Sequence, residues 1–512
     1  MSHVVIAPLL LPLVAGIVLV LIRASALTAQ RAVSMVATLA LSGVAMTLLL
    51  QVAYGSILVY QLGNWQAPFG IVLVADRLSA AMVAITALLA LGVLTYAVRG
   101  ADRAGRHFHR FFQFQLFGLI GAFLTGDLFN LFVFFEVLLI ASYALLLHGG
   151  GRARTRAGVH YVVLNLVGSS LFLVAVGTLY GVLGTLNMAD LAVKMSALPA
   201  EDQGVVRAAT LLLFVVFALK AALAPLQLWL PGAYSSASAP VAALFAIMTK
   251  VGAYAIIRVY TIVFPPDLAV TADLHSALLL PAALISLAIG MVGVLAAGKL
   301  DRLVAFAVIG SMGMVMVAIA MFTPDSIAAA LYYIVHSTLA AGALFLIVDL
   351  VRTGRANVDL VSAPPVGGAA LTAGLFFVAA IAMAGLPPLS GFVGKLMILD
   401  AAYSTPAMVW IWAIVLSASL ISVVGFARAG SIVFWKAQSI ERPEDEPLPP
   451  SPAILSYVAV GGLLGLLVAH TVFAGPVQRY MAATSAQLFA PEPYISTVLD
   501  TPGKLSTPKE AN

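Results

Sequence analysis

The sequence predicts an all-α polytopic membrane protein with about fourteen transmembrane helices, ten of them in two inverted five-helix repeats. Three observations predict it. Of the 512 residues, 62% are apolar and only 9% are charged, against about 25% charged in a soluble domain. Apolar runs of about 20 residues, enough to cross ~30 Å of hydrocarbon, recur from end to end. Basic side chains gather in alternate connections between those runs.

Taken in order, the first run spans about 3–22. No basic stretch precedes Val4 and no small-residue cleavage pattern follows Ile22, so it is expected to remain as a helix and not be removed as a signal peptide. Runs 31–54 and 78–98 follow and complete an N-terminal unit of three helices, 1–108. Runs 109–125, 128–148, 159–185, 206–230 and 235–263 make a first repeat, 109–263. Runs 274–298, 303–322, 326–350, 367–402 and 406–435 make a second, 264–436. A last run, 453–474, and a polar tail form 437–512. The tail, 475–512, is expected along the outer surface or against a partner, loop 186–205 is expected to carry a short surface helix, and 440–452 is a charged, Pro-rich connection.

The seventh and twelfth runs are broken. FALKAALAPLQLWLP at 217–231 holds Pro225 and Pro231; MAGLPPLSGFVGK at 383–395 holds Pro387 and Pro388. Proline removes a backbone donor and clashes with the preceding turn. A pair of interrupted helices in the two halves of a chain points to a transport site between repeats. The breaks lie five helices apart, an odd number, so the second repeat is expected to be inverted.

Charge supports the same count. The odd connections hold Arg23 and Arg31; Arg99, Arg103, Arg106 and Arg110; Arg152, Arg154 and Arg156; Lys299 and Arg302; Arg352 and Arg355; Lys436 and Arg442. The seventh connection, 231–234, is uncharged. The even ones are poor in basic residues and hold Asp127, Asp190, Glu201, Asp202, Asp267, Asp273 and Asp325. Basic loops stay in the cytoplasm, which places both termini on the outer face. The pI near 9.3 is thereby explained without a nucleic-acid partner.

A few charges interrupt the apolar runs. Glu136 lies in LFVFFEVLLIAS, Lys220 precedes the first break, Lys250 lies in PVAALFAIMTKVGAYAII, and Lys395 follows the second break. A charge at mid-membrane costs roughly 2.5–3.5 kcal/mol on insertion scales. Static packing would not need it, since apolar residues replace a buried ion pair at little loss. Only eight lysines stand against eighteen arginines, yet three lysines fall mid-membrane. Arginine stays protonated in proteins; lysine can release its proton when buried. A path that loads and unloads protons therefore uses lysine. His336 lies between the Lys250 and Lys395 regions in the chain, and imidazole titrates near neutrality. Tyr332, Tyr333 and Ser337 beside it are suited to holding water. Arg258 and Lys299 are expected to snorkel to the membrane edge. His148 and His160 are expected at the interface, Asp127 and Asp349 at solvated helix ends, and Phe132, Phe134, Phe135, Phe376 and Phe377 against lipid or in packing.

No cysteine is present, which excludes disulfides, thiolate metal sites, haem attachment and iron–sulfur ligation by this chain. P-loop, Gly-rich dinucleotide and HExxH patterns are absent. No cofactor is expected, and the driving force must come from an ion gradient or another subunit.

These motifs resemble the antiporter-like subunits shared by respiratory complex I and the multisubunit Mrp-type (Mnh or Pha) cation/proton antiporters. The resemblance covers nearly the whole chain. It is carried by the surroundings of Glu136, the Lys220-to-WLP block at 220–231, Lys250 followed by VGAYAIIR, and GLPPLSGFVGK at 385–395. GIVLVADRLSAAM at 70–82, the length, and PEPYISTVL at 491–499 are most similar to the D subunits of Mrp-type Na⁺/H⁺ antiporters. The resemblance implies Glu136 and Lys220 as the acid and base of a first half-channel, Lys250 as a central relay, His336 as a bridge, and Lys395 as the end of a second half-channel. It implies other antiporter subunits as partners, protons and Na⁺ as cargo, and a bacterial inner membrane; a pumping subunit of complex I or of a membrane-bound hydrogenase is the alternative. A scaffold whose charges only lock helices is a third reading. Gln227 stands where many relatives carry His, and Ala340 and Ala341 stand where a Lys is expected after His336. The sequence locates no sodium site, which would call for oxygen ligands.

Overall fold

The structure, a computed structural model, describes residues 3–355, 357–365, 368–440 and 451–504. Arg442, most of the connection 440–452 and the tail residues 505–512 lie outside the described residues. Among the described residues, eleven helices are long and apolar enough to cross a membrane, with two shorter apolar ones, Ala7–Leu21 and Ala369–Ala384. The chain is an all-α polytopic membrane protein.

Three helices open it: α1 (Ala7–Leu21), α2 (Leu27–Val52) and α3 (Arg77–Ala97). Where the sequence suggests only a connection, a hairpin forms, β1 (Leu58–Gln61) against β2 (Val72–Ala75), with Leu58 opposite Ala75. All four β2 residues are buried, because the corner after the fourth helix covers the strand; Gly126 N–H donates to the Val72 carbonyl at 3.0 Å. A four-residue apolar run has no readable period, which hides the strand from sequence patterning. Asp76 starts α3 with a capping box: its carboxylate accepts the Ser79 N–H, and Ser79 Oγ accepts the Asp76 N–H.

α4 (Phe108–Leu124) and α5 (Leu128–Leu146) meet at a tight corner where Asp127 caps α5, accepting the Asn130 N–H at 2.8 Å. α6 (Arg152–Leu183) follows, then the expected surface helix α7 (Met188–Ser196). α8 (Gln203–Lys220) stops at the first break and α9 (Trp229–Ser236) resumes beyond it. α10 (Ala239–Phe245) and α11 (Met248–Ile262) divide one expected run at Ala246–Ile247. Next come α12 (Leu280–Ala296), α13 (Leu300–Met321) and α14 (Pro324–Arg355). α15 (Ala369–Ala384) and α16 (Ser390–Ala402) flank the second break, and α17 (Met408–Gly430) and α18 (Ile454–Val472) follow.

Burial separates centre from perimeter. In the most apolar 18-residue stretch of each span, every residue of α10–α11 is buried, 94% in α13 and 89% in α14, against 28% in α2 and 33% in the span that begins with α17. A helix apolar on every side and buried on every side belongs to a core. Lys250 and His336 are on these central helices.

Two helical hairpins close in the same way. Leu128 N–H donates to the Leu186 carbonyl (2.8 Å) and Met188 N–H to Gly126 (2.9 Å), clamping α5–α6. Leu300 N–H donates to Val358 (2.8 Å) and Leu360 N–H to Gly298 (2.9 Å), clamping α13–α14. The bridged pairs are Asp127 with Asn187 and Lys299 with Asp359, 60 residues apart in each case.

The tail from 474 to 504 folds back onto the chain as α19 (Ala474–Leu488) and α20 (Glu492–Asp500). Tyr480 donates to the Arg77 carbonyl (2.9 Å), Ser485 to Pro324 (2.6 Å), and Tyr494 is buried. It thus covers the face carrying the β-hairpin and the poorly basic connections.

Candidate functional site

The first break exposes backbone groups that lipid could not satisfy; packed side chains satisfy them. Ala222 adopts φ +55 and the Ala224 N–H donates to Ser286 Oγ of α12 at 2.7 Å. Trp229 Nε1 donates to the Leu219 carbonyl at 3.2 Å. Gly252 of α11 lies against this corner so closely that a Cβ there would come within 2.6 Å of Ala221 N. The glycine lets the Lys250 helix touch the break.

Lys220, the last residue of α8, is 7% exposed. Its ammonium donates to Asn165 Oδ1 of α6 at 3.0 Å. Asn165 Nδ2 in turn donates to the Tyr161 carbonyl at 2.9 Å, which turns Oδ1 toward the lysine. One turn along α6, Ser169 Oγ donates to the Glu136 carboxylate. Residues four apart share a helix face, so one stripe of α6 holds both the acid and the base. Glu136 and Lys220 form no ion pair within 4.0 Å. They are electrostatic neighbours, Glu136 held by Ser169 and Lys220 by Asn165 on one face of α6. A cavity of about 10 Å³, close to the smallest that admits one water, lies between Lys220, Asn165, Tyr161 and Trp229.

Lys250 is fully buried, and its Nζ makes no hydrogen bond. Thr249 Oγ1 and Gln227 Oε1 are also buried without partners. Native proteins rarely leave such groups unpaired. Gln227, at the position where a histidine is expected, is thus in the buried polar set of the first break.

His336 of α14 is fully buried. Its Nδ1 hydrogen-bonds Ser390 Oγ at 2.9 Å, the first residue of α16, and the Ser390 N–H donates to Thr471 Oγ1 at 2.9 Å. Nε2 points toward the Ala382 carbonyl and Gly391 without a hydrogen bond. No hydrogen bond joins His336 to Lys250, yet Lys250 and Lys395 both lie within electrostatic reach of it. The histidine is therefore part of the second break.

Lys395 of α16 is 6% exposed. Its ammonium donates to the Ala384 carbonyl at 2.6 Å and to Ser419 Oγ of α17 at 2.9 Å. Ala384 ends α15, so the ammonium caps the negative end of a half-helix. Gly385 (φ +74) makes room: a Cβ there would lie 2.7 Å from the lysine chain. In both breaks an ammonium stands where the first half-helix ends.

Several surroundings differ from those the sequence suggests. Arg258 does not snorkel. It is 2% exposed and forks onto Asp76, Nη1 to Oδ2 at 2.5 Å and Nη2 to Oδ1 at 2.7 Å. Tyr254 accepts from Arg258 Nε at 3.2 Å and donates to the Phe123 carbonyl at 2.7 Å; Tyr494 of the tail stacks on the guanidinium at 5.5 Å. Lys250, Tyr254 and Arg258 form one stripe of α11. The pairing of Asp76 with Arg258 escapes a sequence reading because the two lie 182 residues apart; the capping pattern D-x-x-S is the available signal for Asp76. His148 is buried, with Nε2 on the Ala101 carbonyl at 2.9 Å, whereas His160 is exposed. Asp127 is a half-buried cap whose carboxyl burial pushes up to about 6, and Asp349 accepts from Tyr96 at 3.0 Å; neither is a freely solvated end. Among the described residues no cluster of three or more His, Asp or Glu side chains fits a metal ion.

The chain is similar in sequence and fold to known proteins. Residues 125–422, containing Glu136 and all three buried lysines, match the family described as NADH:quinone oxidoreductase/Mrp antiporter, TM. The chain is 41% identical over 474 residues to a Rhizobium meliloti protein named as the D subunit of a probable K(+)/H(+) antiporter, covering 87% of each chain. It is 39% identical over 457 residues to a Bacillus subtilis protein named as the D subunit of a Na(+)/H(+) antiporter, covering 87% of this chain and 89% of that one. Among solved structures, a chain of the Mrp complex from Dietzia sp. DQ12-45-1b superposes with a TM-score of 0.86 at 25% identity, over 98% of this chain and 100% of that one.

Proposed function

From the premise that the chain belongs to the NADH:quinone oxidoreductase/Mrp antiporter transmembrane family, we propose that it is the proton-translocating D subunit of a multisubunit monovalent cation/proton antiporter. The observation that carries this reading is the set of three buried lysines, none in an ion pair, two of them at helix breaks. Each ammonium rests on neutral acceptors or on none, so it can release its proton without leaving a carboxylate stranded.

The path has two halves. Ser169 and Asn165 couple Glu136 to Lys220; Lys250 lies beyond the break that Gly252 brings close; His336 and Lys395 share the second break. Two like charges roughly 8 Å apart repel by about 2 kcal/mol at an effective dielectric near 20. Loading one site therefore helps to unload the next. Fourteen spans, both termini outside, and inverted repeats at 109–263 and 264–436 complete the proposal; the matching clamps at Gly126–Met188 and Gly298–Leu360 support the repeats. The location is a bacterial cell membrane, in complex with other antiporter subunits; Na⁺ and K⁺ are the candidate counter-ions.

The test is Lys220→Ala in the assembled complex in inverted vesicles. Cation-induced proton movement should fall to background while the complex still assembles; normal antiport would sink the proposal. The family also includes redox-driven NADH:quinone oxidoreductases. Vesicles in which protons move with electron donors, and not with added Na⁺ or K⁺, would favour that second reading.

A further inference from the structure

We infer that the basic face of the protein holds a binding site for an anionic phospholipid, with the headgroup phosphate in a cavity of about 550 Å³ walled by Arg152, Arg154, Lys299, Arg302 and Arg352. The cavity is built by both halves of the chain. Arg152 and Arg154 come from the first turn of α6, Lys299 and Arg302 from the start of α13, and Arg352 from the end of α14. Five basic side chains face one carboxylate, Asp301. Asp301 is already taken by Arg352 at 3.1 Å, and Lys299 is paired with Asp359 at 3.2 Å. Arg154 is spent on the Ser236 and His148 carbonyls, at 3.0 and 2.8 Å, and shapes the wall. Among the described residues Arg152 and Arg302 have neither an ion-pair nor a side-chain hydrogen-bond partner, and both are exposed.

Topology alone asks only that basic residues stay on one side of the membrane; it does not ask them to line a common cavity. Two free guanidiniums at one rim suit a phosphate, which accepts bidentate hydrogen bonds from them. The α6 N-terminus adds unpaired N–H groups, since its cap residue Gly151 offers no side-chain acceptor.

An apolar track favours a lipid over a free anion. Ser235 and Ser236 of α9 line the cavity. On the face of α9 below them, Gly232 has open space beside its Cα, and Leu228, one turn further, is 71% exposed. A phosphate in the cavity would have its acyl chain along this face, toward the apolar outer side of α6 at Val159 and Val163. Basic pockets between transmembrane helices are a recurrent form of anionic-lipid site.

Native mass spectrometry of the detergent-purified full chain tests this, with phosphatidylglycerol, phosphatidylcholine and inorganic phosphate as probes. Phosphatidylglycerol should be retained as a discrete adduct and phosphatidylcholine should not. Arg152→Gln with Arg302→Gln should weaken retention at least about tenfold, given about one tenfold step or slightly less per basic residue. Arg103→Gln with Arg106→Gln, an equal charge loss elsewhere on the same face, should leave it unchanged. Equal retention in the two double variants, equal retention of phosphatidylcholine, or displacement of the lipid by millimolar phosphate would each overturn the inference. Melting temperatures of both variants identify a folding loss, and Arg152→Lys with Arg302→Lys should restore part of the binding if the fold is intact.

Discussion

The Lys220 ammonium rests on Asn165 at 3.0 Å, not on Glu136. One turn along the same helix, Ser169 holds Glu136. Glu136 and Lys220 are thus each held by a neutral residue of one α6 face and not by each other.

Asn165→Leu should therefore cripple transport with Glu136 and Lys220 untouched. A hydrogen bond to a charged group contributes about 1.5–3 kcal/mol, which corresponds to about a ten- to hundredfold fall in cation-driven proton flux. Antiport at or above a third of the wild-type rate would contradict this. Asn165→Asp should also slow transport, because a fixed carboxylate holds the ammonium charged.

Lys395→Arg separates charge from proton release. Arginine keeps the positive charge but cannot deprotonate, so the complex should assemble and antiport should drop at least about tenfold. Wild-type flux in assembled Lys395→Arg complexes would leave Lys395 as a helix cap for Ala384 and nothing more.

The Asp76–Arg258 pair is expected to govern stability. Removing one partner of a buried pair costs about 3–5 kcal/mol, so Arg258→Ala should sharply lower both the detergent melting temperature and the amount of membrane-inserted protein. The double variant Asp76→Leu with Arg258→Met should recover much of the loss. A single variant as stable as wild type would show that the pair carries little.

Acid stability should depend on Asp102, on the connection between α3 and α4. Burial by itself would raise its carboxyl, but hydrogen bonds from Arg31 at 2.6 and 2.8 Å and from His109 at 3.2 Å outweigh it and hold it down at about 2. A carboxyl depressed in the folded state stabilises above its unfolded pKa near 4, and the benefit disappears as pH falls through about 2. The Asp102 contribution, read as the difference between wild type and Asp102→Asn, should be constant from pH 8 to 5 and decline below about 4. Asp102→Asn should cost roughly 1–2 kcal/mol at pH 7 and flatten the acid limb; an unchanged melting curve across that range would refute the assignment.

Much of the site is visible in the sequence because a membrane makes charge conspicuous. Lys220, Lys250 and Lys395 each interrupt an apolar run, and Pro225, Pro387 and Pro388 mark the breaks beside two of them. Their partners are not visible. Asn165, Ser169 and Ser419 are ordinary small polar residues at helical spacing, and such residues usually bond their own helix, as Thr178 does with Val174. Arg258 looks like a residue near a helix end; only the approach of α3 to α11 gives it Asp76.

The sequence by itself determined the membrane class, the order of the apolar helices, the two interruptions and the identity of the buried charges. All follow from transfer energies and backbone chemistry, which act locally along the chain. Tertiary structure alone decided which neutral groups hold those charges, that His336 joins the second break through Ser390, and that basic loops from both halves wall a single cavity. Those outcomes depend on helices packed at close range across large sequence separations, and no local pattern encodes the partner of a buried side chain.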